Sequence, residues 1–159
     1  MINIRKGKKK DIPFVLELIK ELAIFENAEV EVDLDIDVLE NDAFGPEKFF
    51  NFLVAEIGGK IIGMALYYPK YSTWKGRCFF LEDLIVSKDY RNQGVGTKLF
   101  EKLIKMGRKN GINRLMWQVL DWNQSAINFY KKFDATISSS WLDCKLDKNQ
   151  INNYQFDER

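Results

Sequence analysis

The chain has 159 residues, a length typical of one folded domain that buries most of its apolar surface in a single core. Its 24 Lys and Arg residues nearly balance 23 Asp and Glu residues, and the formal charge of +1 argues against a nucleic-acid-binding surface. Because the sequence contains no histidine, nucleophile systems built on a Ser-His or Cys-His pair are excluded.

Apolar periodicity in the first half of the chain predicts strands and helices in alternation. Asp11 should cap a helix with Pro13 in its first turn, because apolar residues then recur at helical spacing up to Ala23. The pair Gly58-Gly59 stands between two apolar runs and predicts a hairpin turn. The expected elements are a strand over residues 2–5, the helix after Asp11, a short helix in a mobile acidic excursion over residues 28–48, and hairpin strands over residues 51–57 and 60–68.

In the second half, a long apolar strand over residues 77–87 leads into a Gly-rich turn and then a helix that should stop at Gly111. Residues 114–120 should form a strand parallel to it, because the crossover runs through a helix. The remaining expectations are a loop with Pro69, Ser72 and Thr73 before the long strand, a helix with Ala126, Phe129, Tyr130 and Phe133 on one face, a last strand over residues 136–146, and a frayed polar tail over residues 147–159.

These elements predict an α/β (α+β) architecture in one domain over residues 1–146, with a mixed, mostly antiparallel sheet flanked by helices. Cys78 and Cys144 are too few and too far apart for a disulfide framework or a zinc site, and both stand in apolar runs that predict buried thiols. The N-terminus lacks an apolar stretch of signal-peptide length, and no window is long enough to span a membrane. We therefore expect a cytoplasmic protein without membrane or nucleic-acid partners.

The Gly-rich turn carries the strongest functional signal. It reads Arg91-Asn92-Gln93-Gly94-Val95-Gly96, and such a turn lets backbone N–H groups converge on an anion at the positive end of a helix. The spacing lacks the G-x-x-x-x-G-K-[ST] of a nucleotide P-loop, and Leu99 stands where a dinucleotide fingerprint needs its third glycine. The pattern that remains is R-x-x-G-x-G, which predicts a phosphate site, with a plain strand-to-helix turn as the alternative.

This pattern resembles the pyrophosphate-binding signature of the GCN5-related N-acetyltransferases (GNAT), in which the anion belongs to acetyl-CoA. Longer stretches are similar to the diamine acetyltransferases of that superfamily, the spermidine/spermine and thialysine enzymes. The stretches YSTWKGR and VLDWN look more like the thialysine branch. The matching stretches are LIKELAIFE at residues 18–26, FLVAE at 52–56, YSTWKGR at 71–77, LED at 81–83 and VLDWNQSAINFYKK at 119–132.

The resemblance implies where acetyl-CoA would bind. The two parallel strands are expected to splay apart at their C-terminal ends, and the pantetheine arm would bond to the backbone of Leu84, Ile85 and Val86 like an added strand. Asn123 and Ser125 would lie on the other side of this arm, although Asn123 is equally well explained as a helix N-cap. The pyrophosphate would be held beside Arg91 by the backbone amides of Asn92, Gln93, Gly94, Val95, Gly96 and Thr97. No metal is needed.

Acetyl transfer to an amine needs a proton acceptor for the ammonium, a donor for the oxyanion and a proton for the departing thiolate. Tyr130, with a reference phenol pKa of about 10, matches the proton donor of the family, with a core tyrosine as the alternative. Glu82 and Asp83 interrupt an apolar strand, and strand alternation lets only one of them face the cleft together with Phe80 and Leu84. The resemblance assigns the base role to Glu82 and structural hydrogen bonds to Asp83, with a backbone N–H near Ile85 for the oxyanion.

A cationic acceptor needs carboxylates at the mouth of the cleft. Glu26, next to Phe25, matches an amine-contacting position of the polyamine enzymes. The chain departs from the family at Asp134, which replaces a glycine with a residue that tolerates the left-handed conformation. It also carries Ser138-Ser139-Ser140 where the polyamine enzymes have acidic residues. We therefore expect a small lysine-like primary amine as acceptor, and a polyamine as the alternative.

The glycine turn is also compatible with two other classes of protein. A non-catalytic acyl-CoA-binding module would keep the glycine turn but would need neither Glu82 nor Tyr130. A nucleotide-dependent oxidoreductase would use Asp121 on a ribose, but the missing third glycine argues against it. The resemblance also implies a homodimer, which exposed apolar groups around Trp74 and Trp141 would form.

Overall fold

Five strands form one sheet whose spatial order follows the chain. The structure, a computed structural model, describes residues 1–156. Neighbouring strands are antiparallel except for the last pair, which is parallel, and this confirms the predicted mixed sheet. The strands are β1 (Asn3–Lys6), β2 (Asn51–Ile57), β3 (Lys60–Ser72), β4 (Gly76–Val86) and β5 (Arg114–Met116).

The chain divides into two compact units, of which Met1–Gln118 is the first and the residues from Val119 onward are the second. The first unit contains the sheet and three helices, α1 (Ile12–Phe25), α2 (Ile36–Phe44) and α3 (Val95–Lys109). The second contains α4 (Gln124–Lys131) and α5 (Lys148–Asn152). Within residues 1–156, no helix has the length and apolar character needed to cross a membrane.

The two faces of the sheet pack against different helices. Side chains of α1 and α2 share one core with Met64 and Leu66 of β3. Leu99 of α3 lies beside Gly63 instead, and strand alternation places Gly63 on the opposite face from Met64. In the first unit, helices therefore cover both faces of the sheet. The edges of the strands remain available for a binding site.

Asp11 precedes α1 but does not cap it as predicted. Its backbone already has helical angles, φ −87° and ψ −15°, because a short 3₁₀ turn comes before the helix. The carboxylate accepts hydrogen bonds from Arg5 at 2.6 and 3.0 Å and from the Lys8 N–H at 2.8 Å. Burial would raise the pKa of the Asp11 carboxyl, but these donors outweigh burial and lower it.

The strand that contains Pro69 is longer than predicted. Residues 69–72 were expected in a loop, but β3 continues to Ser72 and Pro69 pairs with Phe79 of β4. The ladder between β2 and β3 ends at Tyr67, so the rest of β3 is an edge strand on that side. Proline is tolerated there because an edge strand does not need its N–H.

The predictions for the C-terminal region were wrong in three respects. Residues 136–146 are irregular rather than a strand, and Cys144 is exposed rather than buried. An apolar pattern selects the face of a strand but cannot supply the partner that its backbone groups require. The tail contains α5, which a reciprocal capping box of Asp147 and Gln150 stabilises. Residues 157–159 lie outside the described part of the chain.

Candidate active site

The C-terminal half of β4 has an open edge. The parallel ladder between β4 and β5 covers only Cys78, Phe79 and Phe80, which pair with Arg114, Leu115 and Met116. Beyond Phe80, β4 continues to Val86 with β3 on its other side, and within residues 1–156 no strand pairs with this edge. The pairing ends before Leu84, Ile85 and Val86 because β5, predicted to reach residue 120, ends at Met116. An extended, amide-bearing ligand can add to such an edge.

The glycine turn leads from β4 to the start of α3. Gly94 is the residue before the helix and has a φ of +75°, and Asn92 has a φ of +60°. The first amides of α3, from Val95 to Thr97, have no acceptor within the helix. Its first turn contains no acidic residue. The positive end of α3 is therefore suited to an anion.

The side chain of Arg91 joins this turn to α1. Its Nε donates to the carbonyl of Val86 at 2.9 Å, and its guanidinium pairs with Glu21 at 3.1 Å. The guanidinium also lies 5.7 Å from the ring centroid of Phe25. These contacts fix the end of β4 against the C-terminal end of α1. Gln93 donates to the carbonyl of Asp89 at 3.1 Å, so the side chains of Arg91 and Gln93 both brace the loop.

A register shift at Glu82 interrupts the alternation of β4. Leu66 pairs with Asp83 and Tyr67 pairs with Leu81, which leaves Glu82 as an extra residue. Tyr68 pairs with Phe80, so Phe80 and Asp83 lie on the same face, three residues apart. The expectation that Phe80, Glu82 and Leu84 share one face was therefore wrong. Because of the bulge, the carboxylates of Glu82 and Asp83 lie on the same side of the sheet.

Three carboxylates come together on this side. Asp83 is half-buried, and burial together with the negative charges of Glu82 and Glu26 raises its pKa to about 6. Burial also raises the pKa of Glu26, which follows the last residue of α1. Removing carboxylates from water next to one another is unfavourable unless a cation compensates. The cluster is therefore suited to bind an ammonium group.

Tyr68 is a site residue that the sequence analysis missed. Its hydroxyl donates a 2.8 Å hydrogen bond to Oε2 of Glu82. Burial, followed by the contact with Glu82, raises the pKa of Tyr68 to about 12. Its ring stacks on Phe80 with centroids 5.4 Å apart. No sequence signal identified it, because the contact depends on the register between β3 and β4.

The second unit holds the other predicted residues. Tyr130 lies on α4, is buried, and packs its ring against Phe129 with centroids 5.1 Å apart. Asn123 is the N-cap of α4 and accepts a hydrogen bond from the Ala126 N–H at 3.1 Å. Ser125 lies in the first turn of α4. Asp134 has a φ of +55°, which confirms the predicted left-handed residue at this position.

The chain is similar to known acetyltransferases along most of its length. The model of the acetyltransferase (GNAT) family matches residues 15–135. The chain is 38% identical to a thialysine N-epsilon-acetyltransferase of Mus musculus over 156 residues, which are 91% of this chain and 92% of the relative. It is 30% identical to spermidine/spermine N(1)-acetyltransferase-like protein 1 of Homo sapiens over 166 residues, covering 98% of this chain and 24% of the relative.

Comparison with a solved structure also supports the fold. An integron cassette protein from the mobile metagenome of V. cholerae superposes with a TM-score of 0.77, and the match covers 95% of each chain. At 21% sequence identity this likeness shows the fold alone. The matched family region includes β4, the glycine turn and α4, which carry the residues described above.

Proposed function

Because the chain belongs to the acetyltransferase (GNAT) family and is an N-acetyltransferase, we propose that it acetylates the primary amine of a small lysine-like acceptor, such as thialysine, with acetyl-CoA. The observation that supports this acceptor class is the cluster of three carboxylates, Glu26, Glu82 and Asp83, beside the open edge of β4. The name of the relative from Mus musculus supports the same acceptor.

Acetyl-CoA would supply an activated acetyl thioester beside this edge. The backbone of Leu84, Ile85 and Val86 is the part of β4 that offers groups to its amide-bearing arm, and the turn from Asn92 to Thr97 offers amides to its pyrophosphate. Arg91 would act mainly by bracing this turn, since its side chain already contacts Val86 and Glu21. Asn123 and Ser125 remain proposed contacts from the start of α4.

The reaction requires two proton transfers, one from the nitrogen of the acceptor ammonium and one to the sulfur of the departing thiolate. Glu82 would accept the proton of the acceptor ammonium, while Asp83 and Glu26 attract its charge beforehand, beside Phe25. An amine that has lost its proton can attack the acetyl carbon, and a backbone N–H next to Ile85 would donate to the developing oxyanion. The Ser87 N–H bonds to Ile62 of β3, and strand alternation turns the Ile85 N–H the same way, so the neighbouring N–H groups face the open edge. Tyr130 would donate its phenol proton to the departing thiolate.

The test is a steady-state screen with acetyl-CoA against thialysine, lysine, spermidine and spermine. We expect a higher kcat/KM for thialysine than for spermidine, and Glu82→Gln should lower kcat/KM by roughly 100-fold or more, the usual range for a general base. Glu17→Gln, on the exposed side of α1, is the matched control and should leave the rate unchanged. A clear preference for spermine would assign a polyamine acceptor, and no activity on any amine would refute the proposed acceptor class.

A cytoplasmic homodimer belongs to the same proposal. Trp74 and Trp141 expose 77% and 81% of their surface, and large exposed aromatic groups are enriched where proteins associate. Light scattering at micromolar concentration should give twice the mass of the 18.7 kDa chain. A monomeric mass would contradict the dimer without affecting the proposed reaction.

A further inference from the structure

Four side chains form a continuous row across β3 and β4. Glu82 accepts a hydrogen bond from Tyr68, Tyr68 stacks on Phe80, and the ammonium of Lys70 lies 4.7 Å from the centroid of the Phe80 ring. Tyr68 and Lys70 are two residues apart on β3 and so project on the same face. The row thus runs from a carboxylate, through two aromatic rings, to an ammonium.

The two ends of this row have opposite charge. Asp83 and Glu26 add negative charge at the Glu82 end. At the other end, within Met1–Gln118, no carboxylate pairs with the Lys70 ammonium. The Tyr68 and Phe80 rings, with centroids 5.4 Å apart, separate the two charged ends. A lysine-like acceptor carries its own charged groups at the two ends of a four-carbon stem, so it can present one group to each end of the row.

We propose that Lys70 is a specificity-determining residue, which binds the carboxylate of an amino-acid acceptor and repels the second ammonium of a diamine. This inference rests on the proposed function, since it requires the reacting amine to lie at the Glu82 end. An acceptor with an ammonium at one end and a carboxylate at the other matches both charges of the row. A diamine of equal length carries two positive charges, so it matches only the negative end of the row.

A purely structural contact is the competing explanation for Lys70. Two other lysines also lie over aromatic rings, Lys60 over Tyr90 at 5.3 Å and Lys48 over Phe44 at 5.8 Å. Cation–π contacts of this kind stabilise exposed surfaces modestly. A structural role would affect every acceptor equally, whereas a specificity role changes the ratio between two acceptors that differ in one group.

Lysine and 1,5-diaminopentane are such a pair, because the diamine is lysine without its carboxylate. The experiment compares kcat/KM for both in wild type, Lys70→Met, Lys70→Glu and Lys70→Arg. An exposed ion pair of about 1 kcal/mol corresponds to a factor of about five, so Lys70→Met should lower the lysine-to-diamine ratio roughly fivefold. Charge reversal in Lys70→Glu should lower it further, and Lys70→Arg should preserve the wild-type ratio.

The controls separate this inference from the proposed function. Lys60→Met removes a comparable lysine at the other end of β3 and should leave the ratio unchanged. If the wild-type enzyme acetylates these amines but the ratio is the same in all Lys70 variants, the role of Lys70 is refuted and the proposed function stands. If the wild type acetylates neither lysine, thialysine nor any diamine, the proposed acceptor class fails and the role of Lys70 fails with it.

Discussion

The hydroxyl of Tyr68 donates to Oε2 of Glu82 at 2.8 Å, across the ladder between β3 and β4. A phenol is protonated at neutral pH even at its ordinary pKa of about 10, and the pKa of Tyr68 is raised further to about 12, so its hydroxyl is a donor to this carboxylate. The bond exists because the bulge at Glu82 changes the register beside Tyr68. Tyr68 is therefore placed to orient the proposed base rather than to transfer a proton itself.

Replacing Tyr68 with phenylalanine should lower kcat about 10- to 150-fold, because one hydrogen bond to a charged group contributes about 1.5–3 kcal/mol. The ring and its stacking on Phe80 would remain, so KM for acetyl-CoA should change little. Steady-state kinetics with both substrates varied would measure this. Tyr71→Phe, an exposed change on the same strand, is the control. Equal kcat for Tyr68→Phe and wild type would exclude an orienting role.

Replacing Gly94 with valine should weaken acetyl-CoA binding. A Cβ at Gly94 would meet no atom within 4 Å, but the φ of +75° strains any β-branched residue. The turn would relax away from the geometry that directs its amides. Calorimetry should show a loss of roughly tenfold, for a strain of about 1–2 kcal/mol. Gly111→Val has a similar backbone strain, with a φ of +63° in open space at the other end of α3, and should not affect binding.

Replacing Tyr130 with phenylalanine should lower kcat by roughly 10- to 100-fold, because only the proposed proton donor is lost. The ring contact with Phe129 and the burial of the side chain would be retained. Acetyl-CoA affinity by calorimetry should therefore stay at the wild-type value. Tyr154→Phe, in the exposed tail, provides the comparison. Unchanged turnover in Tyr130→Phe would identify Tyr130 as a core residue only.

Replacing Asp83 with asparagine should stabilise the protein at neutral pH. Its pKa rises from an ordinary 3.8 to about 6 in the folded state. Between these values the folded state keeps a proton that the unfolded state has released, so stability falls as pH rises through this window. Asp83→Asn lacks this loss of stability and should be more stable than the wild type by up to about 3 kcal/mol at pH 7.5, with little difference near pH 4.

Urea unfolding at several pH values would measure this difference. Glu26→Gln removes one of the charges that raise the pKa of Asp83, so this variant should recover part of the same gain. A stability difference that is constant with pH would show that the ionisation of Asp83 does not destabilise the fold. The prediction is independent of catalysis, because it concerns the protein without substrate.

Local features of the sequence determined the glycine turn, its helix and the hairpin at Gly58-Gly59, and comparison with the family motif predicted the left-handed residue at Asp134. Each depends on backbone preferences or apolar periodicity within a few neighbouring residues. The same local reasoning identified Glu82 and Asp83 as acidic residues in an apolar strand, and the resemblance to the diamine acetyltransferases added Glu26 and the prediction of a cation site. Local reasoning also predicted that β4 and β5 are parallel, since a helix connects them.

The tertiary structure alone decided which side chains meet. Strict alternation would place only one of Glu82 and Asp83 on the cleft side, whereas the bulge in β4 places both carboxylates there. Tyr68 and Lys70 contribute to the row only through the register between β3 and β4, which no local pattern specifies. Residues 136–146 have the pattern of a strand but are irregular in the structure. Register and strand pairing are set by packing over the whole sheet, and a pattern within one segment does not contain that information.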